Sequence, residues 1–219
     1  MKKVIIFDFD NTIVMSLKYW KKVIEKETAK KYKVSENLYF AEKRHGYSNI
    51  DTAKLFLKMH SNVPATYNKI IDYWYSYMQD KYTNNVNFVA GAYQFLQNLK
   101  QKGYKLILAT ATGKILIEKA LKIFNLQNFF DRVICEEEIG KSKKEPDIYY
   151  KIMQEFKVKP KDCLYFEDSL IAITTANKLG IDCVAMINNL NKSNLNKFNN
   201  LCIKTAKRYS NKLMKELNL

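Results

Sequence analysis

Proline and glycine are scarce, at 3 and 6 residues in a chain of 219. That excludes collagen-like repeats, low-complexity tracts and extended linkers, and with 47% hydrophobic and 27% charged residues it excludes disorder as the main theme. The 4 cysteines, Cys135, Cys163, Cys183 and Cys202, contain no C-x-x-C pair, and the first three lie in apolar runs where a reduced thiol packs as a small hydrophobe. A reducing compartment is the expectation. No run approaches the ~20 apolar residues of a membrane span. The opening Met1-Lys2-Lys3-Val4-Ile5-Ile6-Phe7 imitates a signal sequence only until Asp8 and Asp10 interrupt it, so a cytoplasmic protein with no membrane partner is expected. Acid is also in short supply: 22 Asp and Glu stand against 37 Lys and Arg, a formal charge of +15. Such a field attracts phosphates, nucleic acid or anionic lipid without specifying among them. The lysines (Lys21, Lys58, Lys100, Lys157 and Lys207 among them) run along the whole chain, which favours a solvated surface over a nucleic-acid-binding groove. At this length one core, or a core with an insert, buries ~70% of the unfolded surface and needs no disulfide or metal staple.

The apolar, β-branched run at 4–9 ends on acids, as a buried central strand does at the rim of a parallel sheet. The pattern returns at 105–109, stopping at Thr110, at 163–166, stopping at Glu167 and Asp168, and at 183–187, stopping at Asn188. Helices are expected between these strands at 91–102, 114–124, 147–156 and 169–179, the last closed by Gly180. This alternation predicts an α/β fold with a doubly wound, Rossmann-like parallel sheet.

Between 15 and 88 only helical patterns occur. Ser16 is expected to cap a helix carrying Leu17, Trp20 and Tyr32; Ser48 and Asp51 are spaced as a capping box; Pro64 is expected to open a helix bearing Tyr67, Ile70, Trp74 and Met78. The aromatic stripe of that last helix is read as core rather than as a base-stacking platform. The organisation predicted is a core of residues 1–14 and 89–219 with a helical insert of residues 15–88. Past Ile187 the chain turns asparagine-rich and ends in a lysine-rich stretch at 204–217, expected to be an amphipathic helix on the core, with a basic arm for a partner as the lesser reading.

The notable polar residues fall just beyond the C-terminal ends of the predicted strands, where open α/β sheets place ligands. Asp8 and Asp10 are two apart, and because strand side chains alternate, only a turn directly after Asp8 lets both reach one centre. Thr110 supplies a hydroxyl, Lys143 or a neighbouring lysine an ammonium, and Glu167 and Asp168 further carboxylates. Together they offer oxygen ligands for a hard cation and donors for a phosphate.

In this order and at these strand ends, the motifs resemble those of the haloacid dehalogenase superfamily, in the branch with a helical cap after the first strand that includes phosphoglycolate phosphatase-like enzymes and β-phosphoglucomutase. The first motif is Asp8-Phe9-Asp10-Asn11-Thr12, with Asn11 where glycine is commoner; the second ends at Thr110; the third is Lys143-Lys144-Glu145-Pro146-Asp147, lacking its usual first proline; the fourth is Glu167-Asp168-Ser169, with Ala172 in place of a glycine. The resemblance implies hydrolysis of a small phosphomonoester by a two-step phosphoryl transfer. Asp8 attacks phosphorus, and Asp10 protonates the leaving alcohol and then activates water. It implies Mg²⁺ held by Asp8, the backbone carbonyl of Asp10 and Asp168, with Glu167 weakly or through water. Thr110, Lys143 and the backbone N–H groups around Asn11 and Ala111 would hold the phosphoryl oxygens.

Specificity is then expected from the cap, through the loop holding Arg44, His45 and Gly46. Arg44 would hold a second anionic group and His45 hydrogen-bond to it, with a surface salt bridge for Arg44 as the alternative. The partner expected is a small phosphorylated metabolite. A sugar-phosphate mutase would keep the same core residues, and a basic binding protein on the same scaffold is the alternative of another class.

Overall fold

The computed structural model describes residues 2–36 and 48–219. A six-stranded sheet is formed by β1 (Val4–Phe7), β2 (Lys105–Thr110), β3 (Arg132–Cys135), β4 (Cys163–Glu167), β5 (Asp182–Met186) and β6 (Lys204–Ala206). All its pairings are parallel and the spatial order is β3-β2-β1-β4-β5-β6. β1 has neighbours on both edges and helices over both faces, which is why Val4-Ile5-Ile6-Phe7 contains no polar residue. Alternation sends Ile5 and Phe7 into one apolar cluster and Val4 and Ile6 into the other. Strand order reverses between β1 and β4, so their C-terminal ends flank a topological switch point.

Among the described residues, the helices between β1 and β2 begin with α1 (Leu17–Lys22, continuing through a π-helical Val23–Glu27 into Thr28–Tyr32), α2 (Asn49–Met59) and α3 (Tyr67–Asn84). The wide π turn has a local cause. The buried Thr28 hydroxyl donates to the Val23 carbonyl at 2.6 Å and accepts from the Trp74 indole N–H at 2.7 Å, so α3 locks the turn from outside. On α3, Ile70, Trp74, Met78 and Tyr82 are buried, as expected for a core stripe. The remaining helices are α4 (Ala92–Gln101), α5 (Lys114–Ile123), α6 (Glu136–Ile139), α7 (Asp147–Glu155), α8 (Leu170–Lys178), α9 (Leu195–Leu201) and α10 (Asn211–Glu216). Among the described residues, no helix is long and apolar enough to cross a membrane.

Three local expectations are corrected. Ser16 adopts a helical backbone conformation, from which its side chain makes no cap, and its hydroxyl turns to Asp10 instead. Thr66, extended, caps α3 by accepting from the Lys69 N–H, so Pro64 lies outside that helix. The stretch at 204–217 is not one helix. Lys204–Ala206 pairs with β5 as a short edge strand, and the helix begins only after Ser210 caps it.

Between these two pieces Tyr209 ties the C-terminal segment into the core. Its ring lies 4.9 Å from Phe95 and 5.6 Å from Phe166, its hydroxyl donates to the Thr12 carbonyl at 3.1 Å, and its N–H donates to the Ala90 carbonyl at 2.9 Å. Gly91 permits this approach: its φ is +79°, and a Cβ there would lie 2.3 Å from the Tyr209 carbonyl oxygen. A packed segment and a partner-binding arm predict different losses. Tyr209→Ala should cost about 3–5 kcal/mol in urea denaturation and Tyr209→Phe about 1 kcal/mol. A Tyr209→Ala change within about 0.5 kcal/mol of wild type would mark the segment as a surface arm.

Candidate active site

β1 stops at Phe7, and the Asp8 N–H donates to the Phe166 carbonyl at 3.0 Å, which fixes the first carboxylate beside the end of β4. The chain then turns sharply. Asn11 has φ +60°, a left-handed conformation that glycine and asparagine tolerate best, which accounts for asparagine at that position. The turn closes on itself, with the Asn11 N–H donating to the Val14 carbonyl at 2.6 Å and the Asn11 side-chain oxygen accepting from the Leu17 N–H at 3.1 Å. The Asn11 N–H, which the resemblance implies for a phosphoryl oxygen, donates here within the turn itself.

Lys143 is 7% exposed, and its Nζ lies 2.6 Å from Asp8 Oδ1, 2.7 Å from Glu167 Oε2 and 3.4 Å from the Ala109 carbonyl oxygen. Of the neighbouring lysines, Lys141 pairs with Asp147 at 2.7 Å and Lys144 is exposed. Glu167 is held at both oxygens. Oε1 accepts the N–H groups of Asp168 and Ser169, each at 2.9 Å, while Oε2 takes Lys143 and the Tyr165 hydroxyl. Asp168 is positioned from the loop after β5: Asn188 donates to its Oδ2 at 3.1 Å, and Asn191 donates to its carbonyl and to that of Met186, both at 2.9 Å.

One carboxylate oxygen from each of Asp8, Glu167 and Asp168 lies within 4.8 Å of the others. Burial raises the Asp8 carboxyl to about 8, with the Glu167 charge adding to the effect and Lys143 opposing it. Burial likewise holds Asp168 well above its ordinary value, reinforced by Glu167 and Asp8. Burial works against the Lys143 ammonium, but Asp8 and Glu167 outweigh it and hold its titration well above the usual range. Three buried carboxylates against one ammonium leave an excess of negative charge on oxygen donors, which fits a hard cation such as a divalent metal.

Asp10 is not part of that group. Its Oδ1 accepts from the hydroxyls of Ser16 and of Tyr82 (2.6 Å), and its Oδ2 from the Thr112 hydroxyl at 2.6 Å. The Tyr82 oxygen in turn accepts from the Trp20 indole N–H at 3.2 Å, and burial first, then Asp10, holds its phenol well above the usual range. Ser16, Tyr82, Thr112, Asn188 and Asn191 were not expected at the site. Tyr82 continues the apolar stripe of α3 and is indistinguishable in sequence from a core aromatic; Thr112 follows Thr110 by two and carries no further mark.

Thr110 is fully buried at the end of β2, its hydroxyl oxygen accepting from the Thr112 N–H at 3.1 Å, and Ala111 rather than Thr110 lines the open space. That space is a cavity of about 210 Å³ walled by Asp8, Asp10, Ala111, Lys143 and Asp168. Next to it lies a second cavity of about 280 Å³, under the start of α2 and Tyr75 of α3. Arg44, His45 and Gly46 lie outside the described residues.

A family model described as haloacid dehalogenase-like hydrolase matches residues 5–186. A phosphorylated carbohydrates phosphatase of Thermotoga maritima is 28% identical over 102 residues, 46% of this chain and 47% of that one. The chain thus spans about half the length of that relative. A PpaX protein of Caldanaerobacter subterraneus is 27% identical over 191 residues, 83% of this chain and 80% of its own. Among solved structures, CbbY of Rhodobacter sphaeroides in complex with phosphate superposes with a TM-score of 0.83 at 18% identity over 100% of both chains, a likeness of fold. With the family model covering most of the chain and the sheet order and strand-end carboxylates in place, the protein belongs to the haloacid dehalogenase-like hydrolases.

Proposed function

We propose that the protein is a Mg²⁺-dependent phosphatase that hydrolyses a small phosphomonoester through a phosphorylated Asp8. The observation that carries this reading is the buried Asp8–Lys143–Glu167–Asp168 cluster at the switch point, with a second acid, Asp10, two residues beyond the first. The phosphatase named in Thermotoga maritima and the phosphate held by CbbY support the same chemistry.

In the reaction an Asp8 carboxylate oxygen attacks phosphorus in line, and the phosphorus–oxygen bond to the alcohol breaks. Asp10 gives its proton to the departing oxygen. Asp10 then removes a proton from the water that attacks the acyl phosphate, releasing phosphate and restoring both carboxyl groups to their starting states. Lys143 holds Asp8 in place and offers its ammonium to the equatorial phosphoryl oxygens, with Thr110 and the backbone at Ala111 beside it. Asp8, Asp168 and the Asp10 carbonyl would hold Mg²⁺, with Glu167 more remote. The metal, when bound, supplies the positive charge that lets an anionic carboxylate approach an anionic phosphate. Residues 15–88 serve as the cap over a catalytic core of residues 1–14 and 89–219, and the cap acts on the chemistry through Tyr82, which helps to fix Asp10.

Asp8→Asn should lower turnover of any accepted phosphomonoester by ~10³-fold or more with the melting temperature maintained, since an amide oxygen is a poor nucleophile. Retained turnover would remove Asp8 from its role.

Tyr82→Phe keeps the packing but deprives Asp10 of one of three hydroxyl donors; kcat should fall by about tenfold with little change in KM. A change confined to stability would make Tyr82 a core residue only.

The raised Asp8 carboxyl sets the pH dependence of stability. Its proton is bound more tightly in the folded state, so without metal the folded state loses stability as pH rises from the ordinary value of 3.8 through about 8. The elevated Asp168 acts in the same direction. Saturating Mg²⁺ should therefore raise the melting temperature by on the order of 5 °C at pH 8 and by much less at pH 5. An equal shift at both pH values would disconnect the metal from these carboxylates.

A further inference from the structure

Gly113 stands at a crowded junction that the proposed chemistry leaves unused. It precedes α5 with an extended backbone, φ −64° and ψ 155°, a conformation open to any residue, so the left-handed freedom of glycine is not what this position requires. It requires space. A Cβ there would lie 2.1 Å from the Tyr75 hydroxyl oxygen, 2.8 Å from the ring carbon that bears it and 2.9 Å from Glu137 Oε2. From α6, that Glu137 oxygen accepts the Lys114 N–H at 2.9 Å, a cap for α5 that a glycine has no side chain to supply. From α3 comes Tyr75, half-buried, its ring edge-on to Trp20 with 6.3 Å between centres. Burial raises its phenol to about 12, with hydrogen bonds to Asn49 and to the Gly113 backbone opposing the rise and the Glu137 charge adding to it.

Asn49, the first residue of α2, also donates from its side chain to the Ala111 carbonyl at 3.4 Å. The loop after β2 is therefore held group by group. Asn49 takes the Ala111 carbonyl, Thr110 Oγ1 the Thr112 N–H, Tyr75 the Gly113 backbone and Glu137 the Lys114 N–H. Among the described residues the Ala111 N–H has no partner, and Ala111 walls the cavity that Asp8 and Lys143 share. A loop pinned on both sides of that donor fixes it before any ligand arrives, so that binding does not have to meet the cost of ordering it.

We infer that Tyr75 and Asn49 are positioning residues for phosphate: α2 and α3 hold the loop after β2 at Gly113 and Ala111, and so set where the Ala111 N–H stands, on the reading of this site as one that takes a phosphomonoester. Neither side chain has to touch the phosphoryl group. Losing the Tyr75 hydroxyl releases Gly113 while leaving the carboxylates at the ends of β1 and β4 as they are. Glycine at 113 belongs to the same arrangement, because a methyl group there must displace either the Tyr75 ring or the loop.

Calorimetry with inorganic phosphate in the presence of Mg²⁺, together with amide hydrogen exchange of the ligand-free protein, tests this on wild type and Tyr75→Phe. Tyr75→Phe should bind phosphate about fivefold more weakly. Its amides at 110–114 should exchange at least about threefold faster, while Mg²⁺ alone binds as it does to wild type. Gly113→Ala should weaken phosphate binding by about tenfold, and by less when Tyr75→Phe is already present, because the oxygen that the new methyl group meets first is gone. Unchanged phosphate affinity in Tyr75→Phe, unchanged exchange at 110–114, or a Mg²⁺ affinity that falls in parallel with that for phosphate overturns the inference. Wild-type protein that binds no phosphate, with 110–114 still loosened by Tyr75→Phe, would instead count against the phosphomonoester reading, because exchange is read without any ligand.

Discussion

The Lys143 ammonium, lodged between Asp8 and Glu167, is the interaction on which the rest of the site depends. Three carboxylates buried at adjoining strand ends could not remain together without it, since removing one partner of such a buried pair typically costs about 3–5 kcal/mol. Its placement explains features that otherwise look unrelated. Glu136 anchors the Lys143 backbone, Tyr165 and two backbone N–H groups complete the shell of Glu167, and Asn188 and Asn191 hold Asp168 in line. One ammonium still leaves the cluster short of positive charge. The elevated Asp8 and Asp168 carboxyls express that shortage, which the proposed divalent cation and incoming phosphate would relieve.

Much of this was legible because parallel strands carry their chemistry at their ends. The runs at β1, β2, β4 and β5 are nearly free of polar residues until they stop, so Asp8, Thr110, Glu167 and Asp168 stood out by contrast. β3 escaped notice because Arg132-Val133-Ile134-Cys135 opens on a charged residue and offers only three apolar ones. β6 escaped because Lys204-Thr205-Ala206 is an edge strand held by backbone pairing to β5 rather than by burial, and its lysine looked like part of the helix that follows. Position alone could not choose between Lys141, Lys143 and Lys144; that depends on which side chain is directed inward between Asp8 and Glu167.

Residues that act by holding others were the least visible. Tyr82 lies on an apolar stripe and reveals its polar role only where its hydroxyl meets Asp10, beyond the reach of any helical period. Asn188 and Asn191 sit in an asparagine-rich stretch that reads as loop, and their service to Asp168 depends on β5 lying beside β4. The Trp20–Tyr82–Asp10 chain joins two helices of residues 15–88 to Asp10, and in the proposed reaction it would tie that segment to proton transfer.

The central claim is that Asp8 becomes covalently phosphorylated. Acid quenching of the protein during turnover of a phosphomonoester, followed by borohydride reduction, converts an aspartyl phosphate to homoserine, which peptide mass spectrometry locates. The account predicts homoserine at position 8 and at no other aspartate. Undiminished turnover with aspartate intact at position 8, or homoserine at position 10 instead, would contradict it.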